Sequence, residues 1–493
     1  MKLDTLLSHI PTVLVDGPPD ADITGIAYDS RRVQPGFLFV ALMGEHVNGA
    51  QFVEQAVEKG AVAVVTEKGV AKTAATHVVV DDTRKALAQI AANFYQHPAN
   101  HLKVAGVTGT NGKTTTAFLI KQICEEAMLR CGLIGTVRYE IGEQILPAAR
   151  TTPESLEVHE LLWKMRSAGC KSAVMEVSSH ALMQERVRAV EFDAAIFTNL
   201  SQDHLDYHKT MEAYFDAKSR LFSGLRKQTN KKGQAIINAD DRYGAQLVNK
   251  YQNDIPILTY GLGARADFRA SNLRTDFNGT SYQLDANNRS YLVRLPLIGQ
   301  FNVYNSLAAI AGAFVMGVDI RTAILALAHA QSVPGRLEAV PAQRQFKVFV
   351  DYAHTDDALI NVMKTLRELQ PARLIVVFGC GGNRDRGKRP RMGAAVDQFA
   401  DYAIVTSDNP RKEKPMDIIE DIKPGLKRGQ YEVIEDRKDA IFKAVSIAQS
   451  RDIVLIAGKG HETYQEFADK TVPFDDVGIA RLALEEKRVE LNR

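Results

Sequence analysis

The sequence predicts an α/β protein of three domains, and three observations predict it. Strand-like apolar runs alternate with helical patterns along most of the 493 residues, as helices layered on sheets require. At roughly 150 residues per domain the length allows about three. The stretch Val104-Ala105-Gly106-Val107-Thr108-Gly109-Thr110-Asn111-Gly112-Lys113-Thr114-Thr115-Thr116 is a glycine-rich turn that leaves an apolar strand and opens a helix, the setting of a phosphate loop. Two breaks in the alternation, Gln96-His97-Pro98-Ala99-Asn100 and Gln331-Ser332-Val333-Pro334-Gly335-Arg336, divide the chain into 1–98, 99–332 and 333–493.

The first part is expected to hold strands over Phe37–Leu42, Ala61–Val65 and His77–Val80, with helices over Phe52–Lys59 and Arg84–Tyr95. In the middle part the spacing predicts strands Lys103–Val107, Ala173–Val177, Ala194–Thr198, Ala235–Asn238 and Ile257–Tyr260. Helices are expected from Lys113, over Pro153–Ala168 and over Met211–Leu225. From Asp267 to Leu297 the alternation shortens and reads as an antiparallel addition. The last part is expected to carry parallel strands Lys347–Asp351, Leu374–Phe378, Tyr402–Thr406 and Ile453–Ala457 between helices.

Composition narrows the function classes. Hydrophobic residues make up 45% and charged residues 24%, an ordinary globular mix that excludes wholesale disorder. Lys+Arg 61 against Asp+Glu 59 leaves a formal charge of +2, which gives no electrostatic reason for a nucleic-acid or membrane-surface partner. Cys124, Cys131, Cys170 and Cys380 form no C-x-x-C pair. A disulfide scaffold and a structural zinc site are not expected, and a reducing compartment fits. Asp4 interrupts the apolar residues Leu3, Leu6, Leu7 and Ile10, unlike a secretory signal. The uncharged stretch Leu295–Val318 is broken by Gln300, Asn302, Asn305 and Ser306. The apolar piece from Leu307 is about a dozen residues long, short of the ~20 that span a bilayer. The expectation is a cytoplasmic monomer without nucleic-acid or membrane partners.

In the phosphate loop, glycines let backbone N–H groups turn toward phosphate oxygens, and the helix N-terminus adds its positive dipole end. Lys113 can reach the outer phosphates and Thr114 can place a hydroxyl on Mg²⁺. The match to the general pattern is loose, because Val107 stands where the first glycine belongs. Lys113 followed by three threonines nevertheless makes a poor helix interior and a good anion and Mg²⁺ shell.

The variant G-T-N-G-K-T-T-T resembles the Mur ligases, the ATP-dependent amino-acid ligases of peptidoglycan precursor synthesis; folylpolyglutamate synthases share a related loop. The resemblance extends over nearly the whole chain. It is carried by Asp29-Ser30-Arg31, Thr151-Thr152-Pro153, M-E-V-S-S-H at 175–180, T-N-L-S-Q-D-H-L-D-Y-H at 198–208 and A-Y-F-D-A-K-S-R-L-F at 213–222. It continues through G-Q-F-N-V-Y-N at 299–305, P-G-R at 334–336, D-Y-A-H at 351–354 and G-K-G-H-E at 458–462. It implies a smaller N-terminal UDP-binding α/β domain over 1–98 and a central P-loop ATPase-like domain with a parallel sheet over 99–332. A C-terminal Rossmann-like domain that binds the amino acid would occupy 333–493.

Site residues follow from the same resemblance. ATP would be held by Gly109, Thr110, Asn111, Gly112, Lys113, Thr114, Thr115, Asn302, Asn305, Arg336 and Asp351. Thr114, Glu176 and His204, with Lys218 carbamylated, would hold Mg²⁺, two ions being expected, and Lys113, Glu176, His204 and Lys218 form the catalytic set. On its own, Lys218 beside Asp216 reads as a solvated surface lysine, Glu176 as a cap or a ligand, and Asn302 and Asn305 as residues preceding a helix. The muramoyl-dipeptide substrate, UDP-N-acetylmuramoyl-L-alanyl-D-glutamate, would meet Ser30, His46, Val47, Asn48, Thr151, Thr152, Ser178, Gln184 and Arg186. Ser30 and the 46–48 segment also read as plain turn residues.

The amino acid is implied to be meso-diaminopimelate, through Arg384, Asp408, Asn409, Pro410, Arg411, Gly458 and Glu462. D-N-P-R at 408–411 is the family signature for diaminopimelate over L-lysine. An Arg fork can clamp the distal carboxylate of the former, whereas the ammonium of lysine would face another cation. Glu462 would suit an ammonium. Two positions depart from the family: Asn383 stands where Asp is common, and Asp356 where Pro is common. The rivals are a folylpolyglutamate-type ligase, which explains neither D-N-P-R nor the first 98 residues, and a nucleotide-binding protein that does not ligate.

Overall fold

The computed structural model describes residues 1–44, 48–69, 73–341 and 345–491; the predicted site residues His46 and Val47 lie outside them. The chain divides into two compact units. The first contains residues 1–271, 284–290 and 304–326, and the second contains 272–283, 291–303 and 327–493.

The first unit begins with α1 (Leu3–Leu6), β1 (Thr12–Asp16), β2 (Gly25–Ala27), β3 (Phe37–Val40), α2 (Val53–Glu58), β4 (Ala63–Thr66), β5 (Thr76–Val80) and α3 (Thr83–Phe94). The sheet order is β1-β5-β4-β3-β2. Only the β1–β5 pair is antiparallel. Strands β3 and β4 bury side chains on both faces, Leu38, Val40 and Val65 with Ile90 of α3 on one and Phe39 and Val64 on the other, hence their near-continuous apolar runs. Strand β1 is exposed at Val13 and Leu14 and carries no alternation, so periodicity does not disclose it.

A larger sheet follows: β6 (Lys103–Thr108), α4 (Lys113–Glu126), β7 (Cys131–Ile134), β8 (Arg138–Ile141), β9 (Gln144–Pro147), α5 (Ser155–Ser167), β10 (Ser172–Glu176), α6 (Ser179–Met183) and β11 (Ala194–Phe197). It continues with α7 (Leu205–His208), α8 (Met211–Leu225), β12 (Gln234–Asn238), α9 (Arg242–Tyr251) and β13 (Ile257–Gly261). Its order from β13 is β13-β12-β11-β6-β10-β7-β8-β9. Parallel pairing aligns Val107 with Glu176 and Thr108 with Phe197. The phosphate loop therefore leaves the carboxyl end of a strand flanked by the two that carry the next motifs, where α/β sheets gather ligands. Residues 268–295 form β14 (Phe268–Asp276), β15 (Gly279–Ala286) and β16 (Arg289–Leu295), with the division between units passing through them. The expected strands are present, but β14 starts parallel to β13, at Tyr260↔Phe268, so that seam is not antiparallel. Helix α10 (Gln300–Val315) starts earlier than expected and takes in Asn302 and Asn305, and α11 (Ile320–Ala328) follows.

The second unit holds β17 (Glu338–Val340), β18 (Lys347–Asp351), α12 (Asp356–Glu368), β19 (Leu374–Phe378), α13 (Lys388–Phe399), β20 (Tyr402–Val405), α14 (Pro415–Ile422), β21 (Tyr431–Val433) and α15 (Arg437–Ile447). It ends with β22 (Ile453–Ala457), β23 (Tyr464–Glu466), β24 (Thr471–Pro473) and α16 (Asp476–Leu491). The main sheet runs β17-β18-β22-β19-β20-β21, parallel except for β17. Two apolar layers cover its faces, one through Phe349, Val376 and Leu455, the other through Val350, Val377 and Ile456. Arg437 and Asp476 are wholly buried and paired at 2.7 Å. Arg437 also donates to the Ala457 carbonyl at 3.0 Å, which supports the loop after β22 from beneath. Among the described residues no helix is long and apolar enough to cross a membrane.

His159 of α5 is fully buried. Its Nε2–H donates to the Arg188 carbonyl at 3.2 Å, and burial pushes its pKa down to about 4. The unfolded chain therefore binds one more proton between pH 6.5 and about 4, and stability falls as pH drops through that window. His159→Gln keeps a donor to Arg188 but cannot titrate. Its unfolding free energy should decline less steeply there, by up to about 1.4 kcal/mol per pH unit. Identical slopes in urea titrations of both proteins would refute this.

Candidate active site

The loop between β6 and α4 is shaped by its glycines. Gly112 has φ 84°, and a Cβ there would stand 2.3 Å from Asn305 Oδ1, so the side chain of α10 is drawn up against the loop. Lys113 folds back over the loop, donating to the carbonyls of Gly109 at 3.0 Å and Thr110 at 2.7 Å. Lys218 of α8 donates to the same Gly109 carbonyl at 2.7 Å. Thr110 bonds the Ser201 carbonyl, and Asn111 N–H donates to Asn199 Oδ1 at 3.0 Å. Thr115 is buried with Thr114 at the start of α4.

The solvated reading of Lys218 is corrected: its side chain is buried, 1% exposed. It lies 4.6 Å from the centre of the Tyr214 ring. Burial, with the Lys113 charge second, holds its amine well below the usual lysine range. The signal was in the sequence. Tyr214, Ala217, Leu221, Phe222 and Leu225 form the buried stripe of α8, and Lys218 occupies a position on it.

Glu176, wholly buried at the end of β10, meets its predicted partner: Thr114 Oγ1 donates to its Oε2 at 3.0 Å. Thr136, which sequence reasoning missed, supplies its N–H at 2.8 Å and its hydroxyl at 3.0 Å to the same carboxylate. Thr136 Oγ1 also lies 3.1 Å from Thr151 Oγ1. His204 stands apart from this pair, on an exposed turn at φ 52°. Its ring is 6.0 Å from that of Tyr214, the ring that Lys218 also approaches. Among the described residues no cluster of three or more His, Cys, Asp or Glu forms a metal cage. The donors that do meet, a threonine hydroxyl and a carboxylate beside the phosphate loop, are hard oxygens and suit Mg²⁺.

The dipeptide set is connected through one backbone segment. Thr152 Oγ1 donates to the Glu176 carbonyl at 2.8 Å and accepts from Ser178 N–H at 3.1 Å. Arg186 bonds the Thr152 carbonyl at 2.9 Å and Gln184 Oε1 at 2.6 Å. Glu154, missed in the sequence, pairs with Arg186 at 2.6 Å and Arg84 at 3.2 Å, linking α3 to this segment. Ser178 caps α6. Ser30 bonds Gln55 at 2.7 Å and Asn48 caps the turn that follows it, which are the local roles expected of turn residues.

In the second unit, Asp351 at the end of β18 accepts the N–H groups of Leu337 at 2.6 Å and Ala353 at 2.8 Å. Burial raises its pKa. Arg336 lies 5.0 Å from the Tyr352 ring centre, and among the described residues its buried Nε has no hydrogen-bond partner. Asn302 donates to the Ile298 carbonyl at 2.9 Å within the first turn of α10.

The predicted diaminopimelate residues gather at the carboxyl ends of β19, β20 and β22. Asp408, Asn409 and Pro410 are buried and Arg384 is exposed. Arg411 gives Nε to Glu466 Oε2 at 2.8 Å and Nη1 to the Gly382 carbonyl at 2.9 Å. Gly458 packs against Asp408, where a Cβ would come within 2.6 Å of Oδ2. Asn409 Nδ2 donates to Glu462 at 2.8 Å. Lys459 and Glu466 were missed because their partners are some fifty residues away in sequence.

Both family departures have a structural reason. Asn383 sits at φ 51°, which Asn tolerates, and its Oδ1 accepts Lys412 N–H at 3.0 Å, as a carboxylate would. Asp356 is the first residue of α12 after the capping Thr355, a position that favours either Pro or an acid.

Three family models match: the Mur ligase family catalytic domain over 22–95, the Mur ligase middle domain over 107–313 and the Mur ligase glutamate ligase domain over 335–460. The chain belongs to the Mur ligase family and has its three-domain α/β architecture. It is 44% identical to the UDP-N-acetylmuramoyl-L-alanyl-D-glutamate–2,6-diaminopimelate ligase of Caldanaerobacter subterraneus subsp. tengcongensis, over 99% of both chains. It is 46% identical to the protein of the same name from Halalkalibacterium halodurans, again over 99% of each. A solved structure of a ligase with that name matches at TM-score 0.75 and 35% identity, covering 99% of both chains.

Proposed function

We propose that the chain is an ATP-dependent ligase that joins meso-2,6-diaminopimelate to the D-glutamate side-chain carboxylate of UDP-N-acetylmuramoyl-L-alanyl-D-glutamate, giving the UDP-muramoyl tripeptide, ADP and phosphate. Full-length identity of 44% and 46% to relatives that share this name carries the reading. Residues 1–98 form the UDP-binding part, 99–332 the ATP-binding part and 333–493 the amino-acid-binding part. The enzyme acts as a cytoplasmic monomer on small molecules, without nucleic-acid or membrane partners.

ATP occupies the loop 109–115, with Asn302, Asn305, Arg336 and Asp351 completing its site. Lys113 releases the loop carbonyls it now caps and turns its ammonium to the phosphates. The D-glutamate carboxylate attacks the γ-phosphorus, ADP leaves, and an acyl phosphate forms. The neutral amine of diaminopimelate attacks that carbonyl, the C–O bond to phosphate breaks, and the nitrogen loses a proton that the departing phosphate can carry. Ser30, His46, Val47, Asn48, Thr151, Thr152, Ser178, Gln184 and Arg186 hold the UDP-muramoyl dipeptide. Arg384, Asp408, Asn409, Pro410, Arg411, Gly458 and Glu462 hold the amino acid. No residue becomes a covalent nucleophile; catalysis is positioning and charge stabilisation.

Thr114, Glu176, His204 and Lys218 would hold two Mg²⁺ ions, which neutralise phosphate charge when bound. The depressed amine of Lys218 supports its carbamylation, since only a neutral amine adds to carbon dioxide. The addition forms a C–N bond and releases one proton, replacing the neutral amine by an anionic carbamate. ADP release should require ATP, the UDP-muramoyl dipeptide and an amino acid together. No ADP release with all three present would return the non-ligating binder to favour.

A further inference from the structure

We propose that Lys459 is a positioning residue for the amino-acid site, one that fixes Asn409 and Glu462 in the orientation needed to receive a substrate ammonium. The inference rests on the ligase reading above. The Lys459 side chain is wholly buried, an uncommon place for an ammonium without partners. Its Nζ donates to Asn409 Oδ1 at 3.0 Å and to Glu462 Oε2 at 3.0 Å, with Asp408 Oδ1 at 3.9 Å. The Tyr464 ring centre lies 5.5 Å away.

The consequence is orientational. An isolated carboxamide can present either its oxygen or its nitrogen to a neighbour. Here the ammonium takes the Asn409 oxygen, which turns the amide nitrogen to Glu462 Oε2 at 2.8 Å. Glu462 Oε2 is thereby loaded with two donors. Among the described residues Oε1 accepts no hydrogen bond, and the Glu462 side chain keeps 18% of its surface. One carboxylate oxygen is held inside and the other faces outward as an acceptor for a cation.

The same amide oxygen accepts Glu466 N–H at 3.0 Å, and the Glu466 carboxylate holds Arg411 Nε. Lys459 therefore braces both the acceptor for an ammonium and, through Asn409 and Glu466, the donor for a carboxylate. These are the two charges that the head and the far end of a diamino diacid present. Removing Lys459 leaves the Glu466 N–H as the remaining donor that orients the Asn409 oxygen and takes one of the two donors from Glu462 Oε2, so the acceptor is held less firmly.

The test is steady-state ADP release by the full-length enzyme, with each substrate varied while the other two are saturating. Lys459→Met, Glu462→Gln and the double variant are compared with the unsubstituted enzyme. Lys459→Met should raise the KM for diaminopimelate about 10–100-fold, with the KM values for ATP and the UDP-muramoyl dipeptide within twofold of normal. Because much of the effect of Lys459 passes through Glu462, the loss in the double variant should fall well short of the product of the two single losses. An unchanged KM for diaminopimelate, an equal rise in all three KM values, or single effects that multiply in the double variant would overturn the proposal. Should Lys459→Met fail to fold, Glu462→Gln against the double variant decides alone, since the double variant removes both buried charges together. An unsubstituted enzyme that releases no ADP with any amino acid overturns the ligase reading itself, a result distinct from a failure of Lys459.

Discussion

Lys113→Ala should lower kcat by about 10³-fold or more while leaving the protein folded. The chemistry asks this residue to offset charge on a phosphoryl group that becomes more dispersed as it transfers. Lys218, which donates to the same carbonyl, is held toward its neutral form. The structural cost is small by comparison. Lys113 contributes two hydrogen bonds to loop carbonyls from a half-buried position, worth about 1 kcal/mol each. Thermal unfolding should therefore shift by a few degrees at most while phosphate release falls to background. Near-normal turnover in the variant would remove the phosphate-loop assignment.

Lys218→Ala should cost about 10–100-fold in activity, the usual penalty for losing a group that supports a catalytic metal. Its distinguishing mark is carbon dioxide. If the neutral amine carries a carbamate, the unsubstituted enzyme should lose activity in buffers stripped of carbon dioxide and regain it when bicarbonate is added. Lys218→Ala should not respond to bicarbonate. Lys218→Arg should show at least the loss of Lys218→Ala and no response to bicarbonate, because a guanidinium stays charged and forms no carbamate. Full activity in Lys218→Ala would sink the role. So would an unsubstituted enzyme indifferent to carbon dioxide.

The parts of the fold that were legible share one cause. Strands Lys347–Asp351, Leu374–Phe378 and Ile453–Ala457 were expected with the bounds they have, because sheets covered on both faces need continuous apolar runs. Helix Met211–Leu225 was equally clear. Strands β1, β8 and β9 escaped notice because they are short, β1 and β9 being largely exposed and β8 carrying the charged Arg138 and Glu140. Asn302 and Asn305 looked like residues before a helix, yet α10 begins at Gln300, since polar side chains that find partners do not end a helix.

The candidate site divides in the same way. Lys113, Thr114 and Glu176 were readable from local motifs, and strand pairing brings them together. Lys459, Glu466, Thr136 and Glu154 were not, although Lys459 stands inside the motif G-K-G-H-E. Its role depends on Asn409, which belongs to a different strand end, and no spacing along the chain encodes that meeting. The burial of Lys218 was encoded in the apolar stripe of its helix and was hidden by the expectation that lysines face water.

The central claim is tested most directly by phosphate release from ATP in the presence of UDP-N-acetylmuramoyl-L-alanyl-D-glutamate, comparing meso-diaminopimelate with L-lysine. The account predicts release with diaminopimelate and little or none with lysine, because Arg411 has a distal carboxylate to clamp only in the former. Equal release with lysine would contradict the role given to D-N-P-R, and no release with either amino acid would contradict the ligase.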